Sequence, residues 1–231
     1  MTMTTQQAIV IAFGACVIAV GCSVLSPQPD RSKFYILTPV SESNAAQSAS
    51  NPRLTVGVGP VEFPDYLRRL SVVTRVGPHR LELSDDKRWA EPLNKNFTRV
   101  LSENLATELG TQRIEKYPWP LATKIDYQVE VDVQRFETTS DGEAQLVASW
   151  MIRDGRSESI LYASKTTATA AAGADATSAS SALSSDLATL SKAIAENLTE
   201  LDRHPSAAEL EPDGEQSQRN PYHRAVRRAA N

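Results

Sequence analysis

Apolar residues recur at every second position in some stretches of this chain and every third or fourth in others, so the pattern predicts strands and helices in a definite order. Phe34-Tyr35-Ile36-Leu37 reads as a short strand stopped near Pro39, and Ser41–Pro52 as a polar loop without periodicity. Leu54–Val61 is strand-like, with Gly57-Val58-Gly59 expected to kink it, and Leu70–Val76 is β-branched and mostly apolar. Gly77-Pro78-His79 turns the chain into Leu81-Glu82-Leu83, a hairpin return, and Asp85-Asp86 is expected in a solvated turn.

Leu93, Phe97, Val100, Leu101, Leu105 and Leu109 share one helical face, with Pro92 suited to the first turn and Gly110 a natural C-terminal stop. Pro118-Trp119-Pro120 interrupts the pattern as a linker. A three-stranded meander follows. Tyr127, Val129, Val131 and Val133 alternate with polar residues; Asp141-Gly142 turns into Leu146, Ala148, Trp150 and Ile152; Asp154-Gly155 turns again into Ile160-Leu161-Tyr162 and a Thr-rich run to about Thr169. Ala170–Ser181 is small and polar, a loop or frayed helix start, and Leu183, Leu187, Leu190, Ile194, Leu198 and Leu201 lie at helical spacing. The expected fold class is therefore α/β of the α+β kind: one domain, a mixed sheet with two amphipathic helices packed on one face.

The N-terminal segment changes this picture. Ala8–Val20 is apolar and uncharged, short for a membrane span, and is followed by Gly21-Cys22-Ser23, with Pro27 and Pro29 beyond. A cysteine after a small residue at the exit of such a run is how a lipoprotein signal ends, so Cys22 is the expected site of lipidation, its thiol carrying a diacylglycerol. Two features depart from that pattern. No Lys or Arg precedes the apolar run, and Ala19 stands where lipoprotein signals usually carry Leu. Cys16 is a poorer second candidate, and an uncleaved anchor or an ordinary secretory signal are the alternatives. Two acyl chains anchor stably where one is marginal, since each buried methylene contributes about 0.8 kcal/mol. Ser23, rather than Asp, after the cysteine favours the outer membrane, periplasmic face; the inner membrane, also on its periplasmic face, is the alternative.

The expected organisation is then residues 1–21 signal peptide, 22–32 tether, 33–202 folded domain and 203–231 a disordered tail closing on Arg224, Arg227 and Arg228. The chain has two cysteines, one inside the signal and one acylated, so the mature domain is expected to fold without disulfides. A net charge of −4 and a pI near 5.5 argue against nucleic acid as a partner.

Catalytic chemistry is not expected. His79, His204 and His223 are scattered over turn and tail, which leaves no zinc triad and no base for a Ser or Cys nucleophile. Neither a nucleophile elbow nor a P-loop nor a dinucleotide fingerprint occurs. No cofactor and no metal site is expected beyond the acyl modification on Cys22. The composition points to a binding or scaffolding protein.

Two motifs carry a family resemblance. One is Val58-Gly59-Pro60-Val61-Glu62-Phe63-Pro64-Asp65-Tyr66-Leu67 running into Leu70–Arg75; the other is Arg88-Trp89-Ala90-Glu91-Pro92-Leu93 with Phe97–Leu101 and Asn104-Leu105. With Phe34–Leu37 and the anchor cysteine, they resemble the auxiliary lipoproteins of ABC-type lipid transporters, the PqiC family, over roughly residues 22–200. Arg68-Arg69 stands where that family usually has an acidic residue nearby. The resemblance implies a lipid-anchored periplasmic subunit that works beside an MCE-domain protein, moves phospholipid between membranes and has no catalytic residues. It also admits a homo-oligomer. A stand-alone lipid-binding lipoprotein is the alternative.

Within these motifs Trp89 is expected to pack in the core ahead of the first helix, and Glu91 to complement the helix dipole. Tyr66, Leu67, Arg68 and Arg69 are the candidate partner interface, since an aromatic beside arginine suits a binding hot spot; a solvated loop is the alternative. Trp119 is either an exposed contact or a core plug.

Overall fold

A computed structural model describes residues 31–39, 51–173 and 175–204. The chain divides into a unit ending at Ser32, of which only Arg31 and Ser32 are described, and a second unit from Lys33 that contains every element below. The signal segment with Cys22, the 40–50 loop and the tail beyond His204 lie outside the described residues.

The strands are β1 (Lys33–Tyr35), β2 (Val56–Glu62), β3 (Ser71–Gly77), β4 (Arg80–Trp89), β5 (Ile114–Lys116), β6 (Tyr127–Thr139), β7 (Glu143–Asp154) and β8 (Ile160–Ala171); the helices are α1 (Leu93–Leu109) and α2 (Ala176–Arg203). Together the strands make one mixed sheet of eight. Its axis is β6. Along one edge β6 pairs antiparallel with β7, which carries β8. Along the other edge it is shared: Tyr127–Asp132 run parallel to β2, and Thr138–Thr139 run parallel to β3. Beyond these, β2 carries β5, while β3 carries β4 and then β1. The sheet thus forks into two wings from one long strand.

Both helices cover one face, as the pattern predicted, and pack on each other. All six apolar residues expected on α1 are buried, and on α2 only Leu201 is partly open. β7 alternates without a break: Ala144, Leu146, Ala148, Trp150 and Ile152 are buried beneath the helices, while the residues between them face outward. Phe97 at the centre of α1 sets its ring edge-on to Phe63 and to Phe136, with 5.2 Å between centroids in both pairs. That contact joins the end of β2, the helix and β6 into one core. The Asn104 amide donates to the Ser191 hydroxyl at 3.1 Å across the buried helix–helix seam.

Two expectations are corrected and one strand is added. Asp85 and Asp86 are strand residues, because β4 continues beyond the Leu81-Glu82-Leu83 triplet as far as Trp89. Their side chains point out at a sheet margin, where water solvates them and pattern alone reads as a turn. The segment after α1 holds the short edge strand β5, too brief for periodicity to reveal. Finally, residues 170–181 are neither loop nor frayed helix alone: β8 runs to Ala171, and α2 starts at Ala176 behind Asp175, whose carboxylate accepts the Thr177 and Ser178 N–H groups.

Candidate functional site

The first motif builds a rigid corner. After β2 the chain makes one 3-10 turn at Asp65–Leu67 and then enters β3. Leu67 inserts into the core, so it is a packing residue and not part of an exposed surface. Tyr66 turns its hydroxyl inward and donates to Glu137 Oε2 at 2.7 Å. Glu137, wholly buried on β6, also receives Arg75 Nε and Nη2 on Oε1, each at 2.7 Å. Burial and the hydrogen bond to Glu137 hold the Tyr66 phenol well above its usual pKa. Burial opposes the Arg75 charge, but the bond and charge of Glu137 outweigh it and raise that pKa too. Both Glu137 carboxylate oxygens are thus partnered, Oε2 also accepting the Phe136 N–H at 3.2 Å.

Arg68 and Arg69 are the exposed members of the expected interface. Arg68 folds back on its own loop, donating to the Phe63 carbonyl at 3.2 Å and lying 3.4 Å from Glu62 and 3.5 Å from Asp65. Arg69 makes no ion pair among the described residues.

Trp119 is half-buried and sits apart from that corner, on the sheet face opposite the helices. Val56 and Val58 point toward the helices, so Gly57 and Gly59 present bare backbone to the other side. The Trp119 ring occupies the space above Gly57: a Cβ there would lie 2.9 Å from it. Tyr117 does the same above Gly59, where φ is +120° and an added Cβ would come within 2.7 Å of the tyrosine Cβ. The two rings meet edge-on at 5.5 Å. The glycine pair read as a kink is thus also the seat of an aromatic clasp, while the register shift between Val58 and Val61 retains the bend.

The second motif forms a latch. Trp89 is buried, as expected. Glu91 does more than face a helix dipole. It accepts the Asn96 amide at 2.7 Å and pairs with Arg99 at 3.2 Å, and Arg99 also bonds Glu103. Asn96, so oriented, accepts the Leu37 N–H at 2.7 Å. One carboxylate in the motif thereby fastens the chain following β1 to α1. Sequence reading missed Asn96, which sits on the apolar face of the helix at 1% exposure; a polar residue in that stripe is the signal.

Two clefts open beside these motifs. One, of about 540 Å³, lies between β2 and α1 and is lined by Pro60, Glu62, Lys95, Thr98, Arg99 and Lys116. The other, of about 350 Å³, lies where α2 begins and is lined by Thr74, Lys87, Thr138, Ser140, Asp175 and Ala179. The linings carry no histidine or cysteine. No cluster among the described residues could hold a metal ion, and no described helix is long and apolar enough to cross a membrane.

Comparison with known proteins bears on this arrangement. The model of the family described as "ABC-type transport auxiliary lipoprotein component" matches residues 35–195, which include both motifs, both helices and most of the sheet. The chain is 26% identical over 132 residues to the intermembrane transport lipoprotein PqiC of Escherichia coli K12 and to that of Shigella flexneri, covering 57% of this chain and 67% of each relative. Among solved structures it resembles protein XCC0632 of Xanthomonas campestris, with TM-score 0.59 and 13% identity over 75% of this chain and all of the other. An uncharacterised protein gives TM-score 0.58 at 20% identity, covering 72% of this chain and 99% of that one. At these identities the structural likeness establishes the fold alone.

Proposed function

Because the chain belongs to the family of ABC-type transport auxiliary lipoprotein components, we propose that it is a non-catalytic subunit of an envelope lipid-transport system, anchored through Cys22 and acting by docking to an MCE-domain protein. The observation that carries this reading is the family match over residues 35–195, on a fold whose motifs form structural latches and not reactive sites. In this reading residues 1–21 are removed, residues 22–32 tether the domain, and the periplasmic face of the outer membrane holds the acyl chains. Arg68 and Arg69, with the half-buried Tyr66 and Trp119, are the parts of the expected interface that a partner can reach.

Docking is favoured over independent lipid carriage by the linings of the two clefts. Threonines and charged side chains stand among the apolar residues of both, so neither is the continuous apolar cavity that an acyl chain needs.

Intact-mass spectrometry of the protein from separated inner and outer membranes tests the anchor. A mass beginning at Cys22 plus acyl chains, in the outer-membrane fraction and lost in Cys22→Ala, is expected; an unprocessed or soluble chain overturns it. Co-purification with the MCE protein tests the docking. Arg68→Glu with Arg69→Glu should weaken recovery of the partner, and undiminished recovery would remove that loop from the interface.

A further inference from the structure

β8 is an outermost strand of the sheet and pairs only with β7. The Ala172 N–H donates to the Gly142 carbonyl at 2.7 Å, and from there back to Tyr162 the register runs without a shift. Hydrogen-bonded positions recur at every second residue of an antiparallel pair. Thr166 and its even-numbered neighbours therefore bond β7, whereas Ala163, Lys165, Thr167, Thr169 and Ala171 turn their N–H and C=O groups outward. No strand or loop among the described residues bonds those groups. Proteins usually blunt such an edge with proline, bulges, charges or a covering segment. β8 has no proline, one irregularity at its start and a single charge, Lys165. The strand is also lopsided. Its start is bulky, with Ile160 54% and Tyr162 38% exposed, and its end is the small run Ala168-Thr169-Ala170-Ala171.

We infer that β8 pairs antiparallel with β8 of a second copy of this chain, about a two-fold axis at Thr166, so that two sheets become one. Three features select this occupant and this register. With the axis at Thr166, Lys165 stands opposite the partner's Thr167 and Ala163 opposite the partner's Thr169, so outward groups meet outward groups and exchange hydrogen bonds. An axis one residue earlier would set Lys165 directly opposite its own copy, which costs stability. The same register seats Tyr162 beside the partner's Ala170, the bulky end of each strand on the small end of the other. The third feature is the helix above. Ser184 of α2 accepts the Thr38 N–H and Ser191 accepts from Asn104, so one flank of α2 faces the chain after β1 and the helix α1. The flank turned the other way carries Ala182, Thr189 and Ala193. The two-fold axis sets both α2 helices on one side of the joined sheet, and these small residues leave room for them to meet. Asp186, next to that flank, is only 2% exposed and adds no open charge to it.

The test uses the full chain purified from membranes in detergent. Thr166→Cys should form a disulfide-linked pair under mild oxidation, because directly opposed residues of a non-hydrogen-bonded pair have Cα atoms about 4.5 Å apart, within disulfide range. Ala163→Cys should cross-link at least about tenfold less, since its own copy lies roughly 20 Å away along the paired strands. Thr167→Pro removes an N–H that bonds nothing within the chain, so it should keep the fold and shift the sedimenting species from dimer to monomer. A monomeric parent chain overturns the proposal, as does Thr166→Cys that cross-links no better than Ala163→Cys. Hydrogen exchange at Lys165 and Thr167 identifies other occupants. Protection in a monomer would assign the edge to another segment of the same chain, and protection only on adding the transport partner would assign it to that protein; either result overturns the proposal. If thermal melts show that Thr167→Pro does not fold, the cysteine pair decides alone.

Discussion

Glu137 binds Tyr66 and Arg75 simultaneously, one through each carboxylate oxygen, with all three contacts at 2.7 Å. The carboxylate has no access to solvent, so its hydrogen bonds must come from Tyr66, Arg75 and the Phe136 N–H. Glu137→Ala leaves a guanidinium that is only one-fifth exposed without its counter-charge, and should destabilise the domain by about 3 kcal/mol. Tyr66→Phe removes one of the several hydrogen bonds to this carboxylate and should cost about 1–2 kcal/mol. Urea denaturation of both variants checks the order; equal losses would mean that the tyrosine carries the corner.

Asp186 gives the folding stability a distinct pH dependence. It is buried on α2 with Oδ2 lacking any hydrogen-bond partner, and burial pushes its carboxyl up to about 7. The folded state thus keeps the proton at pH values where the unfolded chain has released it. Protons bound by the folded state exceed those bound by the unfolded state between about pH 4 and 7, so this group's contribution falls as pH rises across that window. Each pH step across it removes about 1.4 kcal/mol at most, so the whole loss stays below roughly 4 kcal/mol. Asp186→Asn should flatten this part of the stability profile, and denaturation midpoints from about pH 4 to 8 read the difference. A parallel profile for the variant would show that Asp186 finds a partner or water when ionised.

The clasp over the glycines predicts two different responses. At Gly57 an added methyl meets the far end of the Trp119 ring, which can swing outward. Gly57→Ala should therefore red-shift tryptophan emission with a loss of about 1 kcal/mol or less. At Gly59 the methyl meets the Cβ of Tyr117 on a backbone with φ of +120°. Gly59→Ala should cost about 2–3 kcal/mol, since neither the backbone nor Tyr117 Cβ can yield cheaply. Emission spectra and thermal melts distinguish the two.

The Glu91–Asn96–Leu37 relay predicts a local effect. Asn96→Ala leaves the buried Leu37 N–H without its acceptor and should destabilise by about 1–3 kcal/mol. Hydrogen exchange at the Leu37 amide should accelerate far more than at β6 or β7, because the bond fastens only the chain after β1. Uniform acceleration would indicate global loosening.

Much of this architecture is legible in the linear pattern, and the reason is physical. Burial on one face imposes a period of two on a strand and about 3.6 on a helix, so the meander and both helices announce themselves. The buried Trp89 and the glycine closing α1 are local signals of the same kind, with Gly110 at φ of +63°. What the pattern could not carry were relationships whose partners lie far apart in the chain. Tyr66 beside two arginines has the composition of a contact surface, yet Glu137, 71 residues away, turns it inward. Gly57-Val58-Gly59 can be read as a kink, but only the return of Tyr117 and Trp119 across the opposite face explains why side chains are absent there. The chain itself determined which residues face the core, since hydrophobic burial acts on each segment's periodicity. Only the tertiary structure decided which polar and aromatic groups meet, because those pairings depend on strand register and on the forked order of the sheet.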